Sequence, residues 1–247
     1  MNVPSSSDPL FGDESAASRL AERFHALDPR KLLRLAIEDL FPGRIALVSS
    51  FGSESAVLLH MVSQIDAAMP VLFLDTLHLF PETLAYRDTL VARFGLTNID
   101  TLKPDPETLA KEDPETFLWS SDPDRCCAIR KVEPLAKALK NYDAWITGRK
   151  RFQATTRATL PLFESDGERI KLNPLAGWTR ADITAYFEKH GLPAHPLVAK
   201  NYLSIGCLPC TSPVRPGEDV RAGRWRGRGK TECGVHIPAT LEAGADS

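Results

Sequence analysis

Ile45-Ala-Leu-Val48, Ser49-Ser-Phe-Gly-Ser-Glu-Ser55, then Ala56, Val57, Leu59, Val62 and Ile65: an apolar run, a loop of small residues and a helical apolar stripe follow one another within 21 positions, 45–65. Four apolar residues bounded by turn formers read as a strand buried on both faces. A helix beginning at the loop's end presents unpaired backbone N–H groups and the positive end of its dipole, a seat for phosphate. Ser49, Ser50 and Ser53 add hydroxyl donors, and Gly52 allows a ligand close to the backbone. The loop is neither GxGxxG nor GxxxxGK[ST]. Composition alone therefore leaves a phosphate site and an ordinary strand–helix turn both open.

The same unit recurs downstream. Val71-Leu-Phe-Leu74 reads as a strand and Asp75-Thr76 as its turn. Pro81 suits a first helical turn, Glu82 the positive dipole end and Gly95 the C-terminal stop. Ala144-Trp-Ile-Thr147 reads as a later strand ending at Gly148-Arg149, and Arg169-Ile-Lys-Leu172 as another at an edge. Thr179 with Asp182 forms an N-cap pair for a helix that His190-Gly191 ends. Upstream, Leu32 to Leu40 form a helix that Pro42-Gly43 stops. Strand–loop–helix repeats predict an α/β fold, an open mostly parallel sheet with helices on both faces. Such sheets bind ligands beyond the carboxyl ends of their strands. The loop 49–55, Leu74 with Thr76, and Gly148 then point at one crevice.

Composition limits the function classes. The 247 residues carry a formal charge of -2, with 43% apolar and 25% charged residues. This balance gives no global attraction to nucleic acid or an anionic membrane. No apolar run nears the roughly 20 residues of a membrane span. The polar, acidic N-terminus does not read as a secretory signal. A cytoplasmic protein is expected, with residues 1–18 disordered, an α/β nucleotide-binding domain over 19–205, and a segment 206–247 holding a CxxC and a mobile tail.

All five cysteines are informative: Cys126-Cys127 are adjacent, Cys207 and Cys210 form the CxxC, and Cys233 stands alone. In a reducing compartment such spacing favours metal or redox work over structural disulfides. A CxxC serves zinc sites and dithiol redox pairs alike. Side chains of neighbouring residues diverge on an extended chain, so two ligands at 126 and 127 require a helix or kink. Zinc motifs keep two to four residues between cysteines, which an adjacent pair does not. A cubane cluster offers four separate corners. Buried small apolar cysteines remain the plain alternative.

The surrounding motifs narrow this. Cys126-Cys-Ala-Ile-Arg-Lys-Val-Glu-Pro-Leu135 resembles the CCxxRKxxPL motif of cluster-containing adenylyl-sulfate reductases, Gly206-Cys-Leu-Pro-Cys-Thr211 their GCxPCT, and Glu232-Cys-Gly-Val-His236 their ECGLH. The loop SSFGSES is similar to the modified PP-loop of the adenylyl-sulfate and phosphoadenylyl-sulfate reductases. LDTLHLFPET at 74–83 resembles their LDTGxxFPET, with Leu77 in place of the glycine. The resemblance covers roughly 44–237 and implies a PP-loop, adenine nucleotide alpha hydrolase-like fold. It implies that Cys126, Cys127, Cys207 and Cys210 hold a [4Fe-4S] cluster and that Cys233 is the nucleophile. It further implies that Lys131, Arg157 (in TGRKRFQATTR), and Arg221 and Arg224 (in RAGRW) bind the phosphosulfate.

The implied reaction is reduction of adenosine 5'-phosphosulfate to sulfite and AMP in sulfate assimilation, through an S-sulfonate on Cys233, with thioredoxin or glutaredoxin as electron donor. A free cysteine is only about 3% thiolate at pH 7. Cations such as Arg221, Arg224, Arg226, Arg228 and Lys230 would raise that fraction; a solvated basic loop is the plain reading. Phosphoadenylyl sulfate, alone or as a second substrate, is the alternative within the family. A tRNA-thiolating PP-loop enzyme lacks support from an RNA-binding region, and a zinc-stapled binding module is the non-enzymatic alternative. A homo-oligomer is compatible with all of these.

Overall fold

The structure is a computed structural model that describes residues 14–230 and 232–236. Two helices lead, α1 (Glu14–Phe24) and α2 (Pro29–Leu35). α1 starts inside the stretch expected to be disordered: Ala16, Ala17 and Leu20 are buried in the main core, so packing orders Glu14–Ser18. Residues 1–13 lie outside the described residues. A π-helical turn, Ala36–Leu40, continues α2 and closes with the Phe41 N–H on the Ala36 carbonyl before Pro42 and Gly43 (φ 69°).

Next come β1 (Ile45–Ser49), α3 (Ser55–Ser63), β2 (Val71–Leu74), α4 (Pro81–Phe94) and β3 (Ile99–Leu102). Short helices α5 (Pro106–Glu112), α6 (Leu118–Ser121), α7 (Pro123–Cys127) and α8 (Glu133–Leu139) precede β4 (Ala144–Ile146). Then follow β5 (Phe163–Ser165), β6 (Ile170–Leu172) and α9 (Arg180–His190). α4 ends at Gly95 in the left-handed region (φ 64°), and α9 carries the Thr179–Asp182 capping box with Gly191 (φ 56°) as its stop.

The six strands lie in the order β3-β2-β1-β4-β6-β5, all parallel except β5, which pairs antiparallel with β6. The segment 169–172, expected at an edge, is interior. β5 covers it, with Phe163 opposite Leu172. The polar residues of β5 (Glu164, Ser165) hide its strand character in the sequence.

Alternation along the strands supplies both faces. Ile45, Leu47, Val71 and Phe73 join the core with residues of α3, α4 and α9. Ala46, Leu72, Leu74 and Trp145 face Leu135 and Leu139 of α8. Each buried leucine or valine of this kind contributes about 2 kcal/mol. Connections leave β1 toward β2 and β3 on one side and β4 toward β6 and β5 on the other. The crevice between β1 and β4 is the topological switch point where open α/β sheets bind ligands.

Candidate active site at the sheet switch point

A cavity of about 250 Å³ opens at this switch point. Every residue expected to bind substrate lines it: Ser49, Ser50, Gly52 and Ser53 from the β1 loop, Leu74 and Thr76 from the end of β2, Gly148 after β4, and Lys131, Arg157, Arg221 and Arg224. Cys233 lines it too, with Val235 and His236 behind it. The loop 49–55 is shaped by Phe51 as much as by Gly52. Phe51 carries the left-handed backbone (φ 48°) while buried edge-on against Phe73, ring centroids 5.2 Å apart. Gly52 lies under the Ile205 carbonyl, and Ser53 donates to the Leu203 carbonyl (2.8 Å), so the segment 203–205 forms one wall.

Cations crowd the other wall. Arg157 donates through Nε (2.8 Å) and a terminal nitrogen (2.7 Å) to the two oxygens of Glu232, and through its other terminal nitrogen to Gln153 (2.6 Å). Arg221 reaches the same carboxylate at 3.3 Å. Burial pushes Glu232 up, but the Arg157 and Arg221 guanidiniums outweigh it and hold the carboxyl below its usual range. Arg224 lies over the Trp225 ring at 4.3 Å, and its buried Nε has no hydrogen-bond partner among the described residues. Arg149 and Lys150, unremarked in the sequence reading, also line the cavity. Burial pushes Arg149 down to about 10, with Arg157 adding to the shift. Lys150 is spent on Glu54 (2.6 Å) and the Gly148 carbonyl (2.9 Å). Three consecutive basic residues, Arg149 to Arg151 in TGRKR, were the available signal.

The tail cations divide by task. Arg221 and Arg224 face the cavity. Arg226 pairs with Glu218 (2.7 Å), Arg228 donates to the Trp119 carbonyl and lies 5.0 Å over the Trp119 ring, and Lys230 pairs with Asp124. The last three staple the tail to α6, α7 and its own loop. These contacts hold the described part of the tail; residues 231 and 237–247 lie outside the described residues.

The cysteine pair sits on a helix that changes pitch. α7 ends at Cys127, and a π-helical turn, Ala128–Val132, leads into α8. Pro134 lacks the N–H that would bond the Arg130 carbonyl in an α-helix, and the Glu133 N–H reaches back to Ala128 instead. The helix thus kinks just after the adjacent cysteines. Cys126, Cys127, Cys207 and Cys210 line one small cavity of about 10 Å³, together with Trp119, Arg130 and Lys131. Among the described residues, no group of three or more His, Cys, Asp or Glu side chains stands in the geometry of a metal site.

Lys131 belongs to both cavities. Burial opposes its charge, yet the sulfurs of Cys207, Cys233 and Cys127 outweigh burial and hold the ammonium above its usual range. Burial pushes the Cys126 thiol up to about 11. Cys233 moves the other way. A hydrogen bond from the Cys127 thiol pulls it far down against burial, with Lys131 and Arg224 assisting. The Thr76 hydroxyl lies 3.2 Å from the Cys207 sulfur, and the Thr76 carbonyl accepts from Arg130 (2.9 Å), which pairs with Asp113 at 2.6 Å.

The histidines sort by position. His60 bonds the Tyr186 hydroxyl (2.9 Å) and is a packing residue. His78 lines the cysteine cavity rather than the larger one. His236 stacks on Trp145, and burial together with Arg149 and Lys171 drives it well below its usual value, which keeps it neutral.

Residues 44–213 match the model of the phosphoadenosine phosphosulfate reductase domain. Adenosine 5'-phosphosulfate reductase of Mesorhizobium japonicum is 54% identical over 92% of this chain and 89% of its own. Phosphoadenosine 5'-phosphosulfate reductase of Gloeobacter violaceus is 41% identical over 92% of this chain and 97% of its own. Among solved structures, phosphoadenylyl-sulfate reductase from Candida auris, a phosphate complex, superposes with a TM-score of 0.69 at 31% identity, covering 82% of this chain and 98% of that one. Yeast FAD synthetase, at 15% identity and a TM-score of 0.51, shares the fold.

Proposed function

The chain belongs to the phosphoadenosine phosphosulfate reductase domain family, and on that premise we propose that it reduces adenosine 5'-phosphosulfate to sulfite and AMP, as the names of several relatives indicate for them. The observation that carries this reading is Cys233 facing the switch-point cavity beside Lys131, Arg157, Arg221 and Arg224. The loop 49–55 and the strand ends of β2 and β4 hold the adenylyl moiety. The arginines take the phosphate and sulfate oxygens, for which a guanidinium fork is suited. The Cys233 thiolate attacks the sulfate sulfur, the bond from sulfur to the phosphate oxygen breaks, and AMP leaves with the electron pair. Cys233 then carries an S-sulfonate.

A dithiol donor of the thioredoxin or glutaredoxin type completes the turnover. Its thiolate attacks the Cys233 sulfur and expels sulfite with the sulfur–sulfur electron pair. Its second thiol resolves the mixed disulfide, so the two electrons come from the donor. Such a donor and five free thiols fit a reducing, cytoplasmic setting.

Cys126, Cys127, Cys207 and Cys210 fit a [4Fe-4S] cluster. They are four soft donors around one cavity, with Thr76 on a sulfur and Lys131 beside them. The four thiolates would hold the cluster. When bound, it would supply a fixed anionic field next to Lys131 and tie residues 126–127 to 207–210. Lys131, lining the cavity with Cys233, would offset the sulfate charge that the Cys233 thiolate meets.

Single-turnover incubation of reduced holoprotein with adenosine 5'-phosphosulfate tests the reading. The expected result is one AMP released per protein and a sulfonate mass on the peptide containing Cys233. No adduct, or sulfite formation by Cys233→Ser at the parent rate, sinks it. Parallel assays with phosphoadenylyl sulfate decide the nucleotide preference, since the Gloeobacter relative is named for that substrate.

A further inference from the structure

Glu232 is the residue before the proposed nucleophile, and its carboxylate is fully engaged. It accepts from Arg157 Nε (2.8 Å), an Arg157 terminal nitrogen (2.7 Å), an Arg221 terminal nitrogen (3.3 Å) and the Thr156 hydroxyl (3.3 Å). A guanidinium has five N–H donors spread over more than one edge, and an edge presents a bidentate fork to a carboxylate or a tetrahedral anion. The Nε edge of Arg157 is taken by Glu232, and its far nitrogen already serves Gln153. A substrate anion that takes the Nε edge of Arg157 must displace the Glu232 carboxylate from those donors. Glu232 and Glu54 are the two carboxylates among the cavity's described lining, and Glu54 is held by Lys150 and Gln153 on the other side. Glu232 thus bears directly on the charge of the arginine wall.

We propose that Glu232 is an internal anion that latches the tail onto the Arg157–Arg221 pair, and that an incoming phosphosulfate displaces it, freeing the adjacent Cys233 to move to the sulfur. The latch rests on the reading of that arginine wall as the phosphosulfate seat. It makes Glu232 a positioning residue. It also couples anion arrival to release of the segment that delivers the nucleophile. A tetrahedral dianion offers more oxygens than a carboxylate and satisfies both guanidiniums together, so exchange is favourable despite the cost of breaking the latch. Adenosine without its anion has no means to open it.

The test uses holoprotein and inorganic sulfate, whose binding to the arginines does not depend on the reductase activity. Ligand stabilisation against thermal unfolding reads its affinity. Glu232→Gln, which keeps shape and removes charge, is expected to bind sulfate roughly tenfold tighter than the parent while adenosine affinity is unchanged. In the parent, sulfate is expected to speed hydrogen exchange across 228–236, opposite to simple ligand protection. Equal or weaker sulfate binding by folded Glu232→Gln overturns the latch. Should that variant not fold, slowed or unchanged exchange in the parent overturns it. Failure of the parent to form the Cys233 adduct, with the sulfate responses intact, would instead remove the reductase reading and leave the latch standing.

Discussion

At the scale of single residues, strain gathers around the cavity. Phe51, Leu77 and Trp225 all hold left-handed backbone, φ 48°, 61° and 47°. Side chains with a Cβ visit that region at a cost of roughly 1–2 kcal/mol, and such strain clusters where binding sites are built. Leu77 stands at the glycine of the resembled LDTGxxFPET motif, and its left-handed backbone gives the reason such a position favours glycine: its N–H returns to the Asp75 carboxylate (3.0 Å) in a tight turn, with half the side chain in solvent. Leu77→Gly is expected to fold with stability within about 1 kcal/mol of the parent, relief of strain offsetting the added chain entropy. Leu77→Val, β-branched in the same backbone, is expected to lose about 1–2 kcal/mol. Urea denaturation of the two proteins checks the pair, and equal stabilities would show that the turn is not strained. The five cysteines could be singled out in the sequence because sulfur chemistry needs few residue types, and the structure sets them around the two cavities. Glu232, Thr156, Arg149 and Lys150 could not, because their roles depend on which partner each charge finds across the fold.

At the scale of elements, the strand–loop–helix units of β1–α3 and β2–α4 were plain in the sequence, since buried strands and helix stops leave strong local patterns. β3 and β5 were missed: Ile99-Asp-Thr-Leu102 and Phe163-Glu-Ser165 are half polar, and only pairing with β2 and β6 makes them strands. The loop-rich C-terminal segment has its own logic. Thr211 bridges to Arg224, and the Ser212 N–H bonds the Gly223 carbonyl at 2.8 Å, so the CxxC and the arginine pair are held in one ribbon. A Cβ on Gly223 would run into the Ser212 backbone carbonyl, which no rotamer change relieves. Gly223→Ala is therefore expected to push Arg224 and the CxxC apart, with a loss of about 1–3 kcal/mol from overpacking. Substrate binding should fall at least tenfold while the far-ultraviolet circular dichroism stays that of the parent. A substitution at Gly229, where a Cβ meets nothing, is the control; equal binding by the two variants would refute the ribbon as the device that positions Arg224.

At the scale of the whole molecule, the segment after α9 is tied to the sheet and its helices by buried polar contacts beside a small apolar cluster of Phe80, Leu197 and Ile205. His195 supplies one of these polar contacts. Its Nδ1 accepts the Leu197 N–H (3.2 Å), leaving Nε2 to donate to the Thr83 hydroxyl on α4 (3.1 Å), with the Tyr86 ring 4.8 Å away. Burial pushes this imidazole down to about 4 from 6.5, against a smaller opposing pull from Glu82. The folded protein thus holds the neutral ring while the unfolded chain takes up a proton below pH 6.5. The stabilisation is complete above that pH and is lost progressively as pH falls toward 4. Between pH 7 and 5 the loss from this one group is about 2 kcal/mol. The sequence could not supply this, because a lone histidine before a proline carries no sign of Thr83, 112 positions away. His195→Asn retains a side-chain acceptor for the Leu197 N–H and cannot titrate. Denaturation free energies at pH 7 and pH 5 should therefore diverge less for the variant than for the parent, by about that amount. Identical pH slopes in the two proteins would mean that the joint between α4 and the cysteine-bearing segment is not what acid undoes first.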